Sequence, residues 1–140
     1  MKEQEVRPNE SVKYPEMRVY VMQSLALLGA ERLHEDEWFT ATGPDSWQGA
    51  LHGLYDDTAA LERPHELVGA VFATEREADI VEALARVLER TRGPSGTWND
   101  SEPIREYAEW PAACALARSA LAEMVINWRV PLSRIWDSGM

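Results

Sequence analysis

From residue 15 onward, apolar positions recur with helical spacing. Met17, Val21, Leu25 and Leu28 follow at steps of four, four and three, one face of a helix running to about Arg32. Pro15 and Glu16 suit its start, because a first helical residue has no N–H bond to lose and an acid complements the dipole. Gly29 weakens its last turn. The stretch "LHEDEWFTATG" breaks the pattern, and Pro44 restarts it. Trp47, Leu51, Leu54 and Thr58 then keep helical spacing, with Ala50 and Tyr55 beside them. "AALER" reads as a connection, and Pro64 opens a short helix through about Phe72 that carries Leu67, Val68, Val71 and Phe72.

Thr74 with Glu77 is the clearest local signal. In a capping box the Thr oxygen accepts from an early backbone N–H and the Glu reaches back to the cap. Ile80, Val81, Leu84, Val87 and Leu88 line one face of the helix behind it, which ends by Gly93-Pro94. "GPSGTWNDSE" is a loop by composition, with a short helix expected around 102–108, capped by Asp100 or Ser101. Pro111 begins the last helix. Its stripe is Ala113, Leu116 or Ala117, Ala120, Leu121, Met124, Val125 and Trp128, and its alanines imply close approach of a neighbouring helix. Pro131 stops it. No window alternates apolar and polar residues with β-branched enrichment, so no strand is predicted. The expectation is an all-α, compact single-domain bundle of four main helices and two short ones. It divides as a mobile polar arm (1–13), a helical domain (14–130) and an apolar C-terminal tail (131–140).

A chain of 140 residues can bury roughly two-thirds of its unfolded surface and needs no covalent staple. Cys114 is the only cysteine, so no internal disulfide can form, as suits a reducing cytoplasm. The N-terminus lacks the apolar core of a secretory signal, and no stretch reads as a membrane helix. A cytoplasmic location is therefore expected. The net charge of −10 belongs mainly to residues 1–100, which hold 19 acids and 10 bases. Such a surface repels nucleic acid and anionic membrane, and suits a basic protein partner.

Four segments resemble a family of small, acidic, uncharacterised actinobacterial proteins: "MRVYVMQSLALL" (17–28), "LYDDT" (54–58), "LVGAVFATEREADIV" (67–81) and "EYAEWPAACALARSAL" (106–121). The resemblance covers roughly residues 17–121; Val-Gly-x-Val-Phe before a Glu-rich helix start and the later Glu-x-Trp-Pro carry most of it. It implies a helical fold in a cytoplasmic bacterial protein, and no assigned reaction. The Asp-Thr step at 57–58 belongs to the family pattern; His52 and His65 do not.

Several groups could carry chemistry. His52 and Asp56 are four apart, so on a helix they share a face and could chelate one ion. His65, Glu66, Asp57, Glu35 and Glu37 could complete a His/carboxylate shell. The metal candidates are thus His52, Asp56, His65 and Glu66, and the reading they define is a metal-binding bundle acting as a hydrolase. Against it, the spacing matches no known metal signature, and the bland alternative is a polar helix face whose end is formed by Asp56 and Asp57. An acid at a helix C-terminus is unfavourable, so Asp57 is expected past the helix end, capping the next turn or paired with Arg63 or Arg105. Cys114 reads as a small buried residue among alanines. No Gly-x-Ser-x-Gly, Walker or Gly-x-Gly-x-x-Gly motif is present, so no cofactor is expected and the reading leans away from an enzyme.

Six tryptophans are many for this length. Trp47, Trp110 and Trp128 fall on helix starts or apolar faces and are expected in the core. Trp38 and Phe39 lie beside Glu35, Asp36 and Glu37, an acidic and aromatic segment of the kind that meets a partner. The leading expectation is a non-enzymatic protein-interaction module with an acidic face, of immunity- or antitoxin-like type. A homodimer through the C-terminal helix and tail, with Leu132, Ile135 and Trp136 as contacts, is compatible with it.

Overall fold

The computed structural model describes residues 11–29, 47–90 and 108–128. Among these residues the chain forms four α-helices: α1 (Pro15–Gly29), α2 (Trp47–His52), α3 (Glu75–Glu89) and α4 (Trp110–Ile126). A wide π turn, Gly53–Asp57, prolongs α2, and a single 3-10 turn, His65–Leu67, lies before α3. The all-α class and the four main helices are as expected. The short helix expected to run to Phe72 is only that 3-10 turn: Val68 is already extended at ψ 128, and Gly69 takes φ 91. The backbone then folds back on itself, with the amide N–H groups of Val71 and Phe72 both donating to the Leu67 carbonyl. The short helix expected at 102–108 and the tail at 131–140 lie largely or wholly outside the described residues.

α4 packs against both α1 and α3. The Arg18 side chain reaches the Met124 carbonyl, and the Arg118 side chain reaches the Gly29 carbonyl at 3.0 Å. The start of α1 therefore lies beside the end of α4, so the two run antiparallel. Arg76 pairs with Glu123, which sets α3 antiparallel to α4 as well. The alanines make this approach close: Ala113, Ala117 and Ala120 are buried with Trp110, Cys114 and Met124. The outer part of the predicted stripe is different. Val125 and Trp128 are 52% and 36% exposed, because Met124 already occupies the inward position at that height.

α1 buries more than the single face its sequence suggests. Arg18, Val19, Val21, Met22, Ser24, Leu25 and Leu28 are all buried, since α2, the 69–71 segment and α4 surround it. Of the span 1–13 expected as a mobile polar arm, residues 1–10 lie outside the described residues. Val12 is 2% exposed, and the Lys13 and Tyr14 amides donate to the Gly69 and Ala70 carbonyls at 2.9 and 2.8 Å. α3 follows its sequence closely, with Ala78, Val81, Leu84 and Leu88 inside and Ile80 and Val87 partly covered.

The capping box forms with a change of partner. The Glu77 amide donates to Thr74 Oγ1 at 3.2 Å, but the Glu77 carboxylate accepts from the Ala73 amide at 2.8 Å, one residue before the cap. Thr74→Ala is expected to cost about 1 kcal/mol, read as a lowered midpoint with unchanged slope in urea unfolding. A change under about 0.3 kcal/mol would show that the cap is dispensable once Glu77 is anchored elsewhere.

Candidate functional site

Three polar groupings and one apolar patch stand out. The first is built on the π turn. The Thr58 amide donates to the Gly53 carbonyl five residues back at 3.1 Å, and Thr58 Oγ1 donates to the same carbonyl at 2.9 Å. Such turns insert an extra residue into a helix and are frequent at functional sites. Gly53 lets α2 lie close on α1: a Cβ there would stand 3.0 Å from Ser24 Oγ and from the Tyr20 ring, and those side chains would have to give way by a few tenths of an ångström. The chain leaves through Ala59 at φ 56, a left-handed conformation that a residue with a Cβ adopts at some cost.

On the outer side of this turn, His52 Nδ1 lies 2.7 Å from Asp56 and Nε2 lies 3.5 Å from Asp57. Tyr20 donates its phenolic O–H to Asp57 at 2.7 Å. That hydrogen bond is the main cause that pushes the Tyr20 phenol above its ordinary range, since it favours the neutral form. Asp57 is thus not past the helix end: it closes the π turn and faces a tyrosine and a histidine. Arg63 pairs with Glu66 instead. Both nitrogens of His52 therefore face carboxylates of the π turn. With the ring 61% exposed, these contacts contribute little to stability.

The second grouping surrounds His65. Its Nδ1 lies 2.7 Å from Glu75, while Nε2 lies 3.3 Å from Asp79 and 3.7 Å from Glu82. The three acids form one column on α3, at steps of four and three residues. The hydrogen bond to Glu75 raises the His65 pKa above its ordinary value; partial burial opposes this, and the charges of Glu82, Glu75 and Asp79 add to it. His52 and His65 therefore have separate carboxylate partners, and Glu66 belongs to neither group. Among the described residues, no group of three or more His, Cys, Asp or Glu side chains is placed to hold a metal ion.

The third grouping is internal. Arg18 and Glu77, both with fully buried side chains, form a two-pronged pair at 2.7 and 3.0 Å. Arg18 also donates to the carbonyls of Val71 and Met124, at 2.9 and 3.0 Å. Glu77 accepts from the Ala73 amide at 2.8 Å and from Asn127 Nδ2 at 2.8 Å. The acid thus sits at the positive N-terminus of α3, and the base at the negative C-terminus of α4, so each helix dipole favours its neighbour. The sequence did carry a signal for this pair. Arg18 is in step with Val21 or Met22, Leu25 and Leu28, and Glu77 with Val81, Leu84 and Leu88. Opposite charges in register with two apolar stripes imply a buried pair when the stripes face each other.

The apolar patch is the end of α4, where Val125, Ile126 and Trp128 are 52%, 76% and 36% exposed. Of the tryptophans expected inside, Trp110 is buried and Trp128 is not. Cys114 is buried, as expected. The proposed partner segment Glu35, Asp36, Glu37, Trp38 and Phe39 and the proposed dimer contacts Leu132, Ile135 and Trp136 lie outside the described residues. No described helix is long and apolar enough to cross a membrane.

Fold and groupings together define a small all-α domain whose described histidines lie among surface carboxylates and whose described core is cross-tied by the Arg18–Glu77 pair. The chain belongs to the family described as a domain of unknown function (DUF7945), which its residues 12–129 match. That match begins at Val12, the first core residue in the described chain. No curated protein and no solved structure matches the chain.

Proposed function

We propose that this domain is a non-enzymatic protein-interaction module, and that the end of α4 is part of its contact surface. The observation that carries the reading is the run Val125, Ile126 and Trp128. A single exposed apolar residue is ordinary, but three large ones within four positions mark a contact area. Trp is also enriched among residues that dominate binding energy. The net charge of −10 selects a basic partner, whose approach an acidic surface accelerates at low salt. An immunity- or antitoxin-like role, neutralising a basic protein, is the concrete form that fits this chemistry. The segment Glu35 to Phe39 supplies further acidic and aromatic contacts in this proposal.

The test compares the wild-type chain with Ile126→Asp, both immobilised and exposed to extract from the source cells at low and high salt. Ile126 is largely exposed, so the variant should melt with the wild type. A basic protein retained at low salt, weakened at high salt and lost with Ile126→Asp is the expected result. Retention of the same proteins by both forms, or of none at low salt, overturns it. A second copy is the other partner such a surface could take, with Leu132, Ile135 and Trp136 extending it along the sequence. Light scattering separates the cases, because a homodimer shows the mass of two chains in the wild type and of one in Ile126→Asp.

A further inference from the structure

The His65 cluster joins two parts of the chain that no other described side-chain ion pair connects. His65 stands on the 3-10 turn, while Glu75, Asp79 and Glu82 stand on α3, the helix against which that turn packs. Two arginines stand beside the cluster: Arg63 faces Glu66 at 3.6 Å on the side of the turn, and Arg86 faces Glu82 at 3.2 Å on α3. One imidazole therefore meets three carboxylates, and only its protonated form can donate from both nitrogens. The turn also supports the residues after it. The Leu67 carbonyl accepts from the amides of Ala70, Val71 and Phe72, and the Gly69 and Ala70 carbonyls receive Lys13 and Tyr14.

We propose that His65 is a pH-operated latch, which fastens the 65–67 turn to α3 through both ring nitrogens while its ring is charged and loosens that turn as the neutral ring is left with a single donor. The direction follows from linkage. A histidine gaining acidic partners on folding has a higher pKa folded than unfolded. The stability it contributes is fully present below the unfolded value and is lost as pH rises through the folded one. His65 has this sign, with the Glu75 hydrogen bond as the leading cause. The release is local. The buried Arg18–Glu77 pair still holds the Val71 carbonyl, so the bundle stays folded while the turn and the Lys13–Tyr14 pairing loosen. The positive charge that His65 places beside Glu75, Asp79 and Glu82 is then withdrawn, while Arg86 stays on Glu82.

The test tracks the His65 ring and backbone amide protection by NMR from below the ordinary histidine pKa to above the point where the folded ring has lost its proton, in the wild type, His65→Gln and Glu75→Gln. Protection factors, corrected for intrinsic exchange, are read at Lys13, Ala70, Val71 and Phe72. The wild type should lose protection there with the same midpoint as the ring, by up to about tenfold for each unit separating the folded and unfolded pKa. Amides in the middle of α3 should not change. Glu75→Gln should move both midpoints to lower pH, and His65→Gln should abolish the step. Equal protection at both ends of the range in the wild type overturns the proposal. So does a step that survives in His65→Gln, or a ring midpoint unmoved in Glu75→Gln. Should His65→Gln fail to fold, the coincidence of the two wild-type midpoints decides the matter.

Discussion

Replacing Arg18 with methionine is expected to cost about 3–5 kcal/mol of folding stability, and replacing Glu77 with methionine a similar amount. Each change leaves an opposite charge buried in a place where neither water nor another ion can meet it, since both side chains are 0% exposed. A domain of this kind has a total stability of only about 5–15 kcal/mol, so either variant should unfold far below the wild-type temperature. The double variant tells more. With both charges gone, the desolvation penalty is gone as well, and its cost should fall short of the sum by about 2–3 kcal/mol. It should not return to the wild-type value, because the carbonyls of Val71 and Met124, the Ala73 amide and Asn127 Nδ2 all lose a partner. A double-mutant cycle in urea measures this directly. Additive costs would mean that the two residues act through their other bonds and not through each other.

Phe72→Ala should cost about 3–5 kcal/mol, the range for deleting a fully buried aromatic ring. Phe72 is 0% exposed, and it sits where the 65–73 segment turns into α3. Its backbone is fixed on both sides: its amide donates to the Leu67 carbonyl at 3.0 Å, and its carbonyl accepts from Gly69 at 2.7 Å. A backbone tied in this way cannot collapse into the space the ring leaves, which favours the upper half of that range. Phe72→Leu should cost roughly half as much, because most of the volume is kept. The comparison is made on urea midpoints with the slope held constant. A Phe72→Ala cost below about 1 kcal/mol would show that the segment repacks freely, and that its hydrogen bonds do not hold it.

α3 was the most legible part of the chain. Its cap, its acidic start and its apolar face each point to the same helix, and the structure agrees at each. α1 and α4 were legible as helices and less so in what they bury. A stripe reading assumes one neighbour on one side, whereas α1 is enclosed on several sides and takes Arg18 inward. Local periodicity cannot show that enclosure, because it depends on how distant segments meet. The segment from Pro64 to Phe72 misleads for a different reason. Its apolar residues fit helical spacing, but Gly69 at φ 91 and the return of the chain onto Leu67 are turn geometry. For the candidate sites, the His52–Asp56 pairing was legible from its spacing of four. The acid column around His65 was not, since it needs a turn and a helix brought together ten residues apart in sequence.

The single thiol offers a clock. Cys114 is buried near the start of α4, at the other end of that helix from the Arg18–Glu77 tie, and no other cysteine competes for reagent. A thiol-specific reagent reaches a buried thiol through opening of the structure around it, so its rate of modification reports on those openings. Variants that loosen the tie should be modified faster in proportion to the stability they lose. Release of the turn at His65 should leave the rate unchanged, which separates a local motion from a global one with a single reagent in a cuvette.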